Sequence, residues 1–477
     1  MADEYDILVI GAGTAGLPCA IAAAEAGARV LLVDKADRIG GTLQLSGGHM
    51  SAAGARRQLE SGIEGDTPAA HAADIDRISE HSVERHDLVT MAVENAASTV
   101  DWLDDHGFAF HPSTPRIVYG HEPYSVARTY YGVDEARTTL QTLVRIIEPY
   151  LQSGAIELRL GTAVTELLSE DGVVVGAVLH VGHDDVPVRA RATVLATGGF
   201  GSNPALFAEL DGRGAPLVSA AMPTSTGDGL VMARQLGGAV AGVGTYLPTF
   251  GGMPHPDDPE RVQWVDRPLL VATERVPWEV YVDRKGRRFV AEDDESIDRK
   301  ERALTKIDGL TFWQILDDRA VSESRNIIVG WSADDLRTRA NTRPGVRGAD
   351  TVGDLAELAG IDAAGLVATI EAYNAAVATG IDPDGLGRRI YPSRIDTPPY
   401  YAIQNHGITL ITFAGLDVDA SLAVRRTDGS TIAGLYAIGE LLGSAATMGN
   451  SFCSGMLVGP CLTFGRLLGA RLAKEVA

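Results

Sequence analysis

The stretch that decides the fold is YDILVIGAGTAG at residues 5–16. Its first half is a short apolar run with β-branched side chains, which predicts a buried strand over residues 5–10. The glycines interrupt this run, and the alanine-rich residues 17–26 continue in a helical pattern. A second apolar run, residues 29–33, ends at Asp34. Strand, glycine turn, helix, strand and acid in this order are typical of a dinucleotide-binding unit.

Each glycine of the turn has its own physical task. Gly11 permits the tight turn, Gly13 lets the backbone approach a pyrophosphate, and Gly16 lets the helix pack closely on the strand. The helix N-terminus offers N–H groups and the positive end of its dipole to the phosphates. Asp34 can accept hydrogen bonds from an adenosine ribose. The full context therefore disfavours the alternative, a glycine turn without a ligand.

The composition limits the class of protein. The chain has 477 residues, of which 45% are hydrophobic and 22% are charged, as in an ordinary globular protein. Its net charge of −22 argues against nucleic acid or an anionic membrane as a partner. The three cysteines lack metal or haem-attachment spacing, and no stretch approaches the roughly 18–20 apolar residues that span a bilayer. We therefore expect a cytoplasmic protein with no membrane insertion and no metal site.

Composition and periodicity divide the chain into three parts. Residues 1–243 and 400–477 form the two parts of a first domain, and residues 244–399, which hold most of the tryptophans, form an inserted domain. The acidic run at residues 292–295 indicates a solvated face, with a metal site as the alternative. The other expected elements are helices at 88–103, 136–151 and 455–473, strands at 161–170, 172–181 and 189–195, a loop at 112–131 and a hairpin at 280–290.

A second glycine-rich segment favours FAD over a nicotinamide cofactor. Residues 40–54, GGTLQLSGGHMSAAG, contain two glycine pairs that let the backbone lie against a flat, bulky ligand. A nicotinamide enzyme has no evident need for this loop, whereas an FAD extended across the sheet does. In the last expected helix, Pro460 predicts a kink or a broken first turn.

Five blocks of the sequence resemble the fumarate reductase/3-ketosteroid dehydrogenase flavoproteins. They are the N-terminal fingerprint, the segment 40–54, VLATGGFG at 194–201, TGDG at 226–229 and GLYAIGE at 434–440. The blocks occur in the order typical of the family and span the chain. The resemblance implies an α/β fold: a Rossmann-like FAD-binding domain of the glutathione-reductase type with an inserted α+β cap or catalytic domain.

The resemblance also implies where FAD is held. The pyrophosphate would lie at the glycine turn, the ribose at Asp34, and the isoalloxazine along residues 46–48. The helix opening at Gly455 would aim its N-terminus at flavin N1 and C2=O, where reduced flavin carries negative charge. The residues expected to contact the cofactor are Gly11, Ala12, Gly13, Ala15, Gly16, Asp34, Lys35, Gly41, Thr42, Ser46, Gly47, Gly48, Val164, Thr197, Gly198, Asp228, Gly439, Glu440, Gly455, Leu457 and Val458.

Noncovalent attachment of FAD is expected. Some members of the family attach FAD through a histidine ahead of the second glycine pair, and Thr42 or Leu43 occupies that place here. His49 lies on the far side of the glycines, which favours a packing role over a covalent link.

The elements by which fumarate reductases of this family bind a dicarboxylate are missing. Leu410 and Ile411 stand in place of two histidines, Phe452 in place of an arginine, and Ser296 in place of the proton-donating arginine. A site without those cations cannot offset the desolvation of two carboxylates. The sequence therefore disfavours fumarate reduction.

GPCLTFG at residues 459–465 instead resembles the GPxxTFG run of the ketosteroid dehydrogenases. The resemblance implies removal of two hydrogens α and β to a ketone, which needs a donor to the ketone oxygen, a base for the α-proton and flavin N5 for the β-hydride. Tyr401 matches the PxYA tyrosine of the family and is the candidate ketone donor. The base has no motif match: Tyr131 is the candidate, and His406 is the alternative.

The substrate expected from this pattern is a cyclic ketone or keto acid. 4-Oxocyclohexanecarboxylate, cyclohexanone and a 3-ketosteroid are all compatible. Arg128 or Arg299 could pair with a ring carboxylate, although surface salt bridging is the favoured role for both. The sequence has no haem-attachment motif and no second dinucleotide fingerprint, so the electron acceptor, or O2, is external. The alternatives are an ene-reductase that uses an external electron donor and a flavin-holding partner subunit.

Overall fold

The computed structural model describes residues 4–212, 214–262, 264–272 and 275–477. Residues 1–3, with which the expected first domain begins, lie outside this range. Among the described helices, none combines the length and the apolar character needed to cross a membrane.

The chain separates into two compact units. Unit 1 comprises Met1–Asp211, Ala221–Tyr246 and Ile411–Ala477, and unit 2 comprises Gly212–Ala220 and Leu247–Leu410. Unit 2 therefore contains nearly all of the stretch expected to be inserted. It also extends to Leu410, so that Tyr401 and His406 belong to it.

The strands and helices follow one another along the whole described chain. The strands are β1 (Glu4–Ile10), β2 (Val30–Val33), β3 (Met50–Ser51), β4 (Thr129–Tyr130), β5 (Ile156–Arg159), β6 (Ala163–Glu170), β7 (Val173–Val181), β8 (Asp184–Leu195), β9 (Val240–Ala241), β10 (Val280–Val282), β11 (Thr311–Asp317), β12 (Val346–Ala349), β13 (Tyr400–His406), β14 (Gly415–Leu416), β15 (Ala423–Arg425) and β16 (Thr431–Ala437). The α-helices are α1 (Gly16–Glu25), α2 (Arg56–Glu60), α3 (Pro68–Ile78), α4 (His86–Asp105), α5 (Glu135–Ser153), α6 (Pro204–Leu210), α7 (Asp228–Gln235), α8 (Arg267–Leu270), α9 (Ile297–Leu304), α10 (Asp318–Glu323), α11 (Ala333–Arg339), α12 (Val352–Ala359), α13 (Ala363–Thr379), α14 (Ala445–Met448) and α15 (Val458–Val476).

Unit 1 is built on an eight-stranded sheet. Strands β5, β2, β1, β8 and β16 run parallel in this order, whereas β7 and β6 add an antiparallel meander and β15 pairs antiparallel to β16. Parallel strands are covered on both faces, which is why β2 is apolar at every position and fully buried. The predicted strand–turn–helix–strand unit is confirmed as β1, α1 and β2.

Helix α15 packs along α1 at glycine contacts. A Cβ on Gly465 would lie 2.4 Å from the Ala15 carbonyl oxygen, and one on Gly469 would lie 2.1 Å from that of Cys19. The helix begins at Val458, and residues 454–457 form a turn instead. Pro460 lies in the first helical turn. The N–H groups of Gly459 and Cys461 bond to the carbonyls of Gly455 and Leu457, whereas the Met456 carbonyl between them accepts a hydrogen bond from the Thr447 hydroxyl at 3.0 Å, because Pro460 has no N–H. The expected broken first turn is therefore present as one missing helical hydrogen bond.

Most of the other expected elements of unit 1 are confirmed. The expected helices at 88–103 and 136–151 lie within α4 and α5, and the three expected meander strands are β6, β7 and β8. The expected loop at 112–131 is irregular except for the two-residue strand β4, which pairs with β3. This strand was missed because two residues are too short for a periodicity signal.

Unit 2 contains a four-stranded antiparallel sheet in the order β10, β11, β13, β12. Helices α12 and α13 cover one face through Leu355, Leu366 and Ile370, among others, and α10 and α11 pack on another cluster that includes Tyr401 and Ile403. The expected hairpin at 280–290 is only partly present. Strand β10 is its first arm, and a single bridge from Val282 to Arg288 replaces the second.

The interpretation of residues 292–295 as a solvated face is wrong for the first two residues of the run. Glu292 is fully buried, and its carboxylate contacts Arg288 at 2.8 Å and Arg388 at 3.0 Å. Burial opposes the charge, but Arg388 and Arg288 hold the pKa of Glu292 below its usual value. Asp293 is buried as well and accepts hydrogen bonds from the backbone N–H groups of Arg389 and Ile390.

We expect Glu292→Gln to destabilise the protein by about 3–5 kcal/mol, because it removes the carboxylate partner of the buried Arg388. Arg288 also loses this partner and keeps Asp382 and Asp384. Calorimetric unfolding at pH 7 measures the change. The control is Glu295→Gln in the same acidic run, since the Glu295 side chain is 90% exposed. Equal unfolding temperatures for the two variants would show that the buried cluster contributes nothing.

Candidate functional site

The glycine turn of unit 1 is held by two contacts that exclude a side chain. A Cβ on Gly11 would lie 2.3 Å from the Ala196 carbonyl oxygen, and one on Gly16 would lie 1.8 Å from the Gly11 oxygen. Gly11 also has a φ of +111°, in the region that favours glycine. These two glycines therefore serve the packing of β1, α1 and the end of β8 on one another.

Gly13 differs from its neighbours because it faces open space. The nearest atom to a Cβ on Gly13 is the Gly40 oxygen at 4.0 Å, and a Cβ on Gly41 would lie 3.5 Å from the Gly13 Cα. No side chain caps the N-terminus of α1 at Ala15. Two glycine backbones thus lie close together at the N-terminus of α1, where the helix dipole favours an anion, and this arrangement fits a pyrophosphate.

Asp34, the acid that follows β2, is hydrogen-bonded to the glycine turn. Its Oδ2 accepts a hydrogen bond from the Ala12 N–H at 2.7 Å, and its Oδ1 accepts one from the Ala36 N–H at 2.8 Å. Each carboxylate oxygen has a further lone pair that can accept from a hydroxyl. Asp34 therefore orients the turn and retains the capacity to bind a ribose.

Lys35 connects the first βαβ unit with the segment that opens α7. Its ammonium contacts Asp228 at 2.7 Å and donates to the Thr226 hydroxyl, which in turn donates to Asp228. Nearby, the Thr197 hydroxyl is buried with no hydrogen-bond partner among the described residues, and a Cβ on Gly229 would lie 2.3 Å from it. An unpaired buried hydroxyl beside the expected cofactor contacts fits a polar ligand.

The second glycine-rich loop, residues 46–48, is held in place by contacts with nearby residues. Ser46 Oγ accepts a hydrogen bond from the Gly48 N–H at 3.0 Å, and Gly48 has a φ of +69°. A Cβ on Gly48 would lie 2.7 Å from Ala136 in α5, whereas the nearest atoms to one on Gly47 belong to the His49 ring, at 3.7 Å or more. Gly47 is thus the open glycine of this pair. Thr42 lies in the 3-10 helix Gly41–Leu45 that precedes the loop.

Gly439 and Glu440 follow β16 and reach the N-terminus of α1. A Cβ on Gly439, whose φ is +79°, would lie 2.9 Å from the Ala15 Cβ. Glu440 Oε1 accepts a hydrogen bond from the Thr412 N–H at 3.1 Å. Burial raises the pKa of Glu440 to about 7, and the charge of Asp211 adds to this rise. Glu440 can therefore donate or accept a hydrogen bond near neutral pH.

The turn before α15 packs against β3. A Cβ on Gly455 would lie 2.4 Å from the Ser51 nitrogen, and the φ of Gly455 is +81°. Leu457 is the N-cap position of α15, Val458 is its first residue, and no side chain caps the helix. The sequence analysis did not single out Tyr124, whose hydroxyl donates to the Ser454 carbonyl at 2.6 Å. No motif surrounds Tyr124, so sequence offered no signal for it.

The structure brings several of the expected cofactor residues together in unit 1. The contacts above join Ala12 with Asp34, Gly13 with Gly41, and Ala15 with Gly439. Val164 lies on β6, where the pairing with β7 is irregular beside it, and Gly198 has a φ of +74° with open space around its Cα. All of these positions carry backbone or polar groups that suit FAD.

Tyr131, the candidate base in unit 1, is half-buried within a cluster of polar groups. Its hydroxyl lies 3.2 Å from Ser113 Oγ and 3.2 Å from Arg116 Nη1, and its ring lies 5.0 Å from that of His49. Hydrogen bonds from Ser113 and Arg116 lower the pKa of Tyr131 below its usual value. The loop therefore stabilises the phenolate of Tyr131 relative to that of an ordinary tyrosine, which is the change that a base requires.

Tyr401 and His406 lie on β13 of unit 2 and have partners within that unit. The Tyr401 hydroxyl donates to Asp318 at 3.2 Å, and burial raises its pKa to about 12. His406 Nδ1 lies 2.9 Å from the Thr311 hydroxyl, and burial lowers the pKa of His406 to about 4. A phenol of raised pKa is a weaker donor and an imidazole of lowered pKa a weaker base, so these contacts favour structural roles.

The two arginines considered for a ring carboxylate have carboxylate partners. Arg128 is fully buried and pairs with Asp66 and Asp74, each at 2.7 Å, so its pairing is internal rather than at the surface. Arg299 pairs with Asp294 at 2.6 Å, and its side chain is largely exposed.

Comparison with known proteins shows the family and the fold of the chain. The model of the FAD_binding_2 family, described as an FAD binding domain, matches residues 6–457. The chain is 29% identical over 483 residues to "Probable fumarate reductase Ifc3" of Shewanella frigidimarina, covering 99% of this chain and 75% of that protein. It is 25% identical over 578 residues to a 3-oxosteroid 1-dehydrogenase of Mycobacterium tuberculosis, covering 99% of both. The 3-ketosteroid Δ1-dehydrogenase structure from Sterolibacterium denitrificans has the same fold, with a TM-score of 0.76 at 20% identity, covering 99% of this chain and 100% of that one.

We expect Gly13→Ala to weaken FAD binding at least about tenfold while the fold persists, because a methyl group fits the space that a pyrophosphate would need. Fluorescence titration of the apoprotein with FAD measures the affinity, and circular dichroism checks the fold. The matched variant Gly16→Ala should instead lower the unfolding temperature, since its methyl group meets the Gly11 carbonyl. Unchanged FAD affinity in Gly13→Ala would place the pyrophosphate elsewhere.

The stability of the apoprotein should fall as the pH rises, because of Glu440. Its folded pKa of about 7 exceeds the usual 4.5, so the unfolded chain releases this proton first. The destabilisation caused by the buried Glu440 carboxylate is absent at pH values below 4.5 and complete at pH values above about 7, where it reaches at most about 3 kcal/mol. Glu440→Gln should therefore stabilise the apoprotein at pH 8 and change little at pH 5, measured by urea unfolding. The exposed Glu60→Gln serves as control, and a pH-independent difference would contradict the prediction.

Proposed function

The chain belongs to the FAD_binding_2 family of FAD-binding oxidoreductases, and we propose that it is a dehydrogenase which introduces a C=C bond α,β to a ketone. The observation that carries this proposal is that uncharged side chains occupy the positions where the fumarate reductases of this family bind a dicarboxylate: Leu410, Ile411, Phe452 and Ser296. Ile411 is buried, and the Phe452 ring lies 5.7 Å from that of Phe413, where a cationic side chain would be needed. A neutral carbonyl compound suits such surroundings better than two carboxylates.

The substrate class that we infer is a cyclic ketone or keto acid. When bound, FAD supplies the hydride acceptor, flavin N5, for the β-hydrogen of the substrate. The chain itself must remove the α-proton, orient the substrate and exclude water. An electron acceptor, or O2, has to come from outside the chain.

Tyr131 is our candidate for removal of the α-proton. Ser113 and Arg116 lower the pKa of its phenol, which increases the fraction of phenolate available near neutral pH. Tyr131 lies one residue beyond β4, next to the loop that would hold the isoalloxazine, and its ring contacts His49 after that loop. Tyr401 as the ketone donor and His406 as an alternative base remain proposals, each requiring the residue to exchange its present partner for substrate.

We infer that FAD is held without a covalent bond. Thr42 or Leu43 occupies the place of the histidine that links FAD in some members of the family. His49 is packed on Tyr131, and burial lowers its pKa below the usual value. The phosphate contacts would come from backbone N–H groups at the turn and from α1, which bind without covalent chemistry.

A second candidate function is reduction of a C=C bond with an external electron donor. The similarity to a protein named as a probable fumarate reductase favours it. Anaerobic mixing of the FAD-loaded protein with saturated ketones separates the two directions: bleaching of the flavin supports the dehydrogenase. The reductase would be supported if enones reoxidise the photoreduced flavin and saturated ketones do not bleach the oxidised flavin. Turnover of dichlorophenolindophenol by the purified chain alone would exclude a merely flavin-holding subunit.

We expect Tyr131→Phe to slow anaerobic flavin reduction by the best ketone at least about 100-fold, because the Tyr131 phenolate takes the α-proton and becomes the phenol. Stopped-flow absorbance of the flavin measures the rate. The control is Tyr119→Phe in the same loop, where the side chain is 72% exposed. Equal rates in the two variants would remove Tyr131 from the mechanism and leave the proposed reaction class standing.

A further inference from the structure

A buried chain of hydrogen bonds in unit 1 joins α3 to the turn before α15. His71 Nε2 lies 3.1 Å from Ser51 Oγ, Ser51 Oγ lies 3.5 Å from the Tyr124 oxygen, and the Tyr124 hydroxyl donates to the Ser454 carbonyl at 2.6 Å. His71, Ser51 and Tyr124 are at most 3% exposed. The chain connects three segments that are distant in sequence, so it fixes their relative positions within the unit.

When all three contacts are hydrogen bonds, the hydrogens of this chain run in one direction. The Tyr124 hydroxyl has a single hydrogen, and the Ser454 carbonyl can only accept it. The Tyr124 oxygen must then accept from Ser51, and the Ser51 oxygen must accept from the Nε2–H of His71. Burial lowers the pKa of His71 to about 3, with a smaller effect from the charge of Arg128, and its Nδ1 has no partner among the described residues. His71 is therefore a neutral donor at the head of the chain.

The last bond of the chain fixes the orientation of the Ser454–Gly455 peptide. The C=O and N–H of one trans peptide point in opposite directions, so holding the Ser454 oxygen also aims the Gly455 N–H. Within the described part of the chain, the Gly455 N–H makes no hydrogen bond. A side chain at Gly455 would meet the Ser51 backbone, which packs the peptide tightly against β3. An oriented, unpaired donor of this kind fits an anionic ligand atom.

We propose that Tyr124, supported by Ser51 and His71, is a positioning residue that aims the Gly455 N–H at the N1–C2=O edge of the flavin. This inference rests on the proposed function, because it needs FAD along residues 46–48 and at the N-terminus of α15. Negative charge develops at that edge on reduction, and a fixed N–H stabilises it more than a freely rotating peptide does. Tyr124 thereby raises the reduction potential of the flavin and favours acceptance of a hydride.

The test is the flavin reduction potential of FAD-loaded Tyr124→Phe, measured by anaerobic titration with a reference dye. We expect the equilibrium constant for two-electron reduction to fall about tenfold, which corresponds to a potential about 30 mV more negative. The matched control is Tyr130→Phe. Tyr130 is fully buried, and its hydroxyl has no partner among the described residues, so loss of that hydroxyl should leave the potential unchanged.

A second variant decides the question if Tyr124→Phe does not fold. Ser51→Ala keeps the phenol and removes its support, and it should lower the same equilibrium constant about threefold. Wild-type potential in an FAD-loaded Tyr124→Phe, or in Ser51→Ala if only that variant folds, overturns the inference while the proposed function stands. A change of the same size in the reduction potential of Tyr130→Phe also overturns the inference, because the change would then come from a general loss of packing around the flavin. Failure of the wild-type protein to bind FAD would overturn the proposed function and the inference together.

Discussion

The approach of α1 to the Gly11 carbonyl is the constraint on which the rest of unit 1 depends. The backbones are so close there that a single Cβ on Gly16 would lie 1.8 Å from the Gly11 oxygen. Helix α15 repeats the principle, because its Gly465 meets the Ala15 carbonyl and its Gly469 meets that of Cys19. Small residues thus bring two helix axes and the sheet near one another, and the N-terminus of α1 lies beside Gly13 and Gly41, where such crowding is absent and the helix dipole favours an anionic group.

The partners of the buried charged side chains could not be predicted from the sequence. The glycine motifs predicted the elements of unit 1, because each motif is local and each glycine has a specific backbone reason. Ion pairs are different: Arg388 reaches Glu292 and Arg128 reaches Asp66 across long stretches of chain. The four consecutive acids at residues 292–295 together indicate a solvated face, although Glu292 and Asp293 are buried and only Glu295 of the four is exposed. Only the fold shows that two arginines share the charge of Glu292.

The candidate site also contains one part that sequence motifs could predict and one part that they could not. The residues around the glycine turn, Asp34 and Gly439 could be predicted, since their motifs have fixed order and spacing. The polar contacts that tune them could not: Thr412 on Glu440 and Tyr124 on Ser454 are single hydrogen bonds between distant segments. The candidate base had no motif either. Its support comes from Ser113 and Arg116, which approach Tyr131 because the irregular loop returns on itself to pair β4 with β3.

Three tyrosines show how the environment, rather than the residue type, assigns a role. Tyr131 is half-buried beside a guanidinium and a hydroxyl that lower its pKa, which suits proton removal. Tyr401 lies in an apolar cluster with a carboxylate as its partner, and both raise its pKa, which suits a structural bond. Tyr124 is desolvated and donates to a carbonyl, so its pKa rises and its proton stays in place. A phenol that keeps its proton can hold a peptide in one orientation at any pH where the enzyme works. The base and the positioning residue therefore need opposite surroundings, and unit 1 provides both.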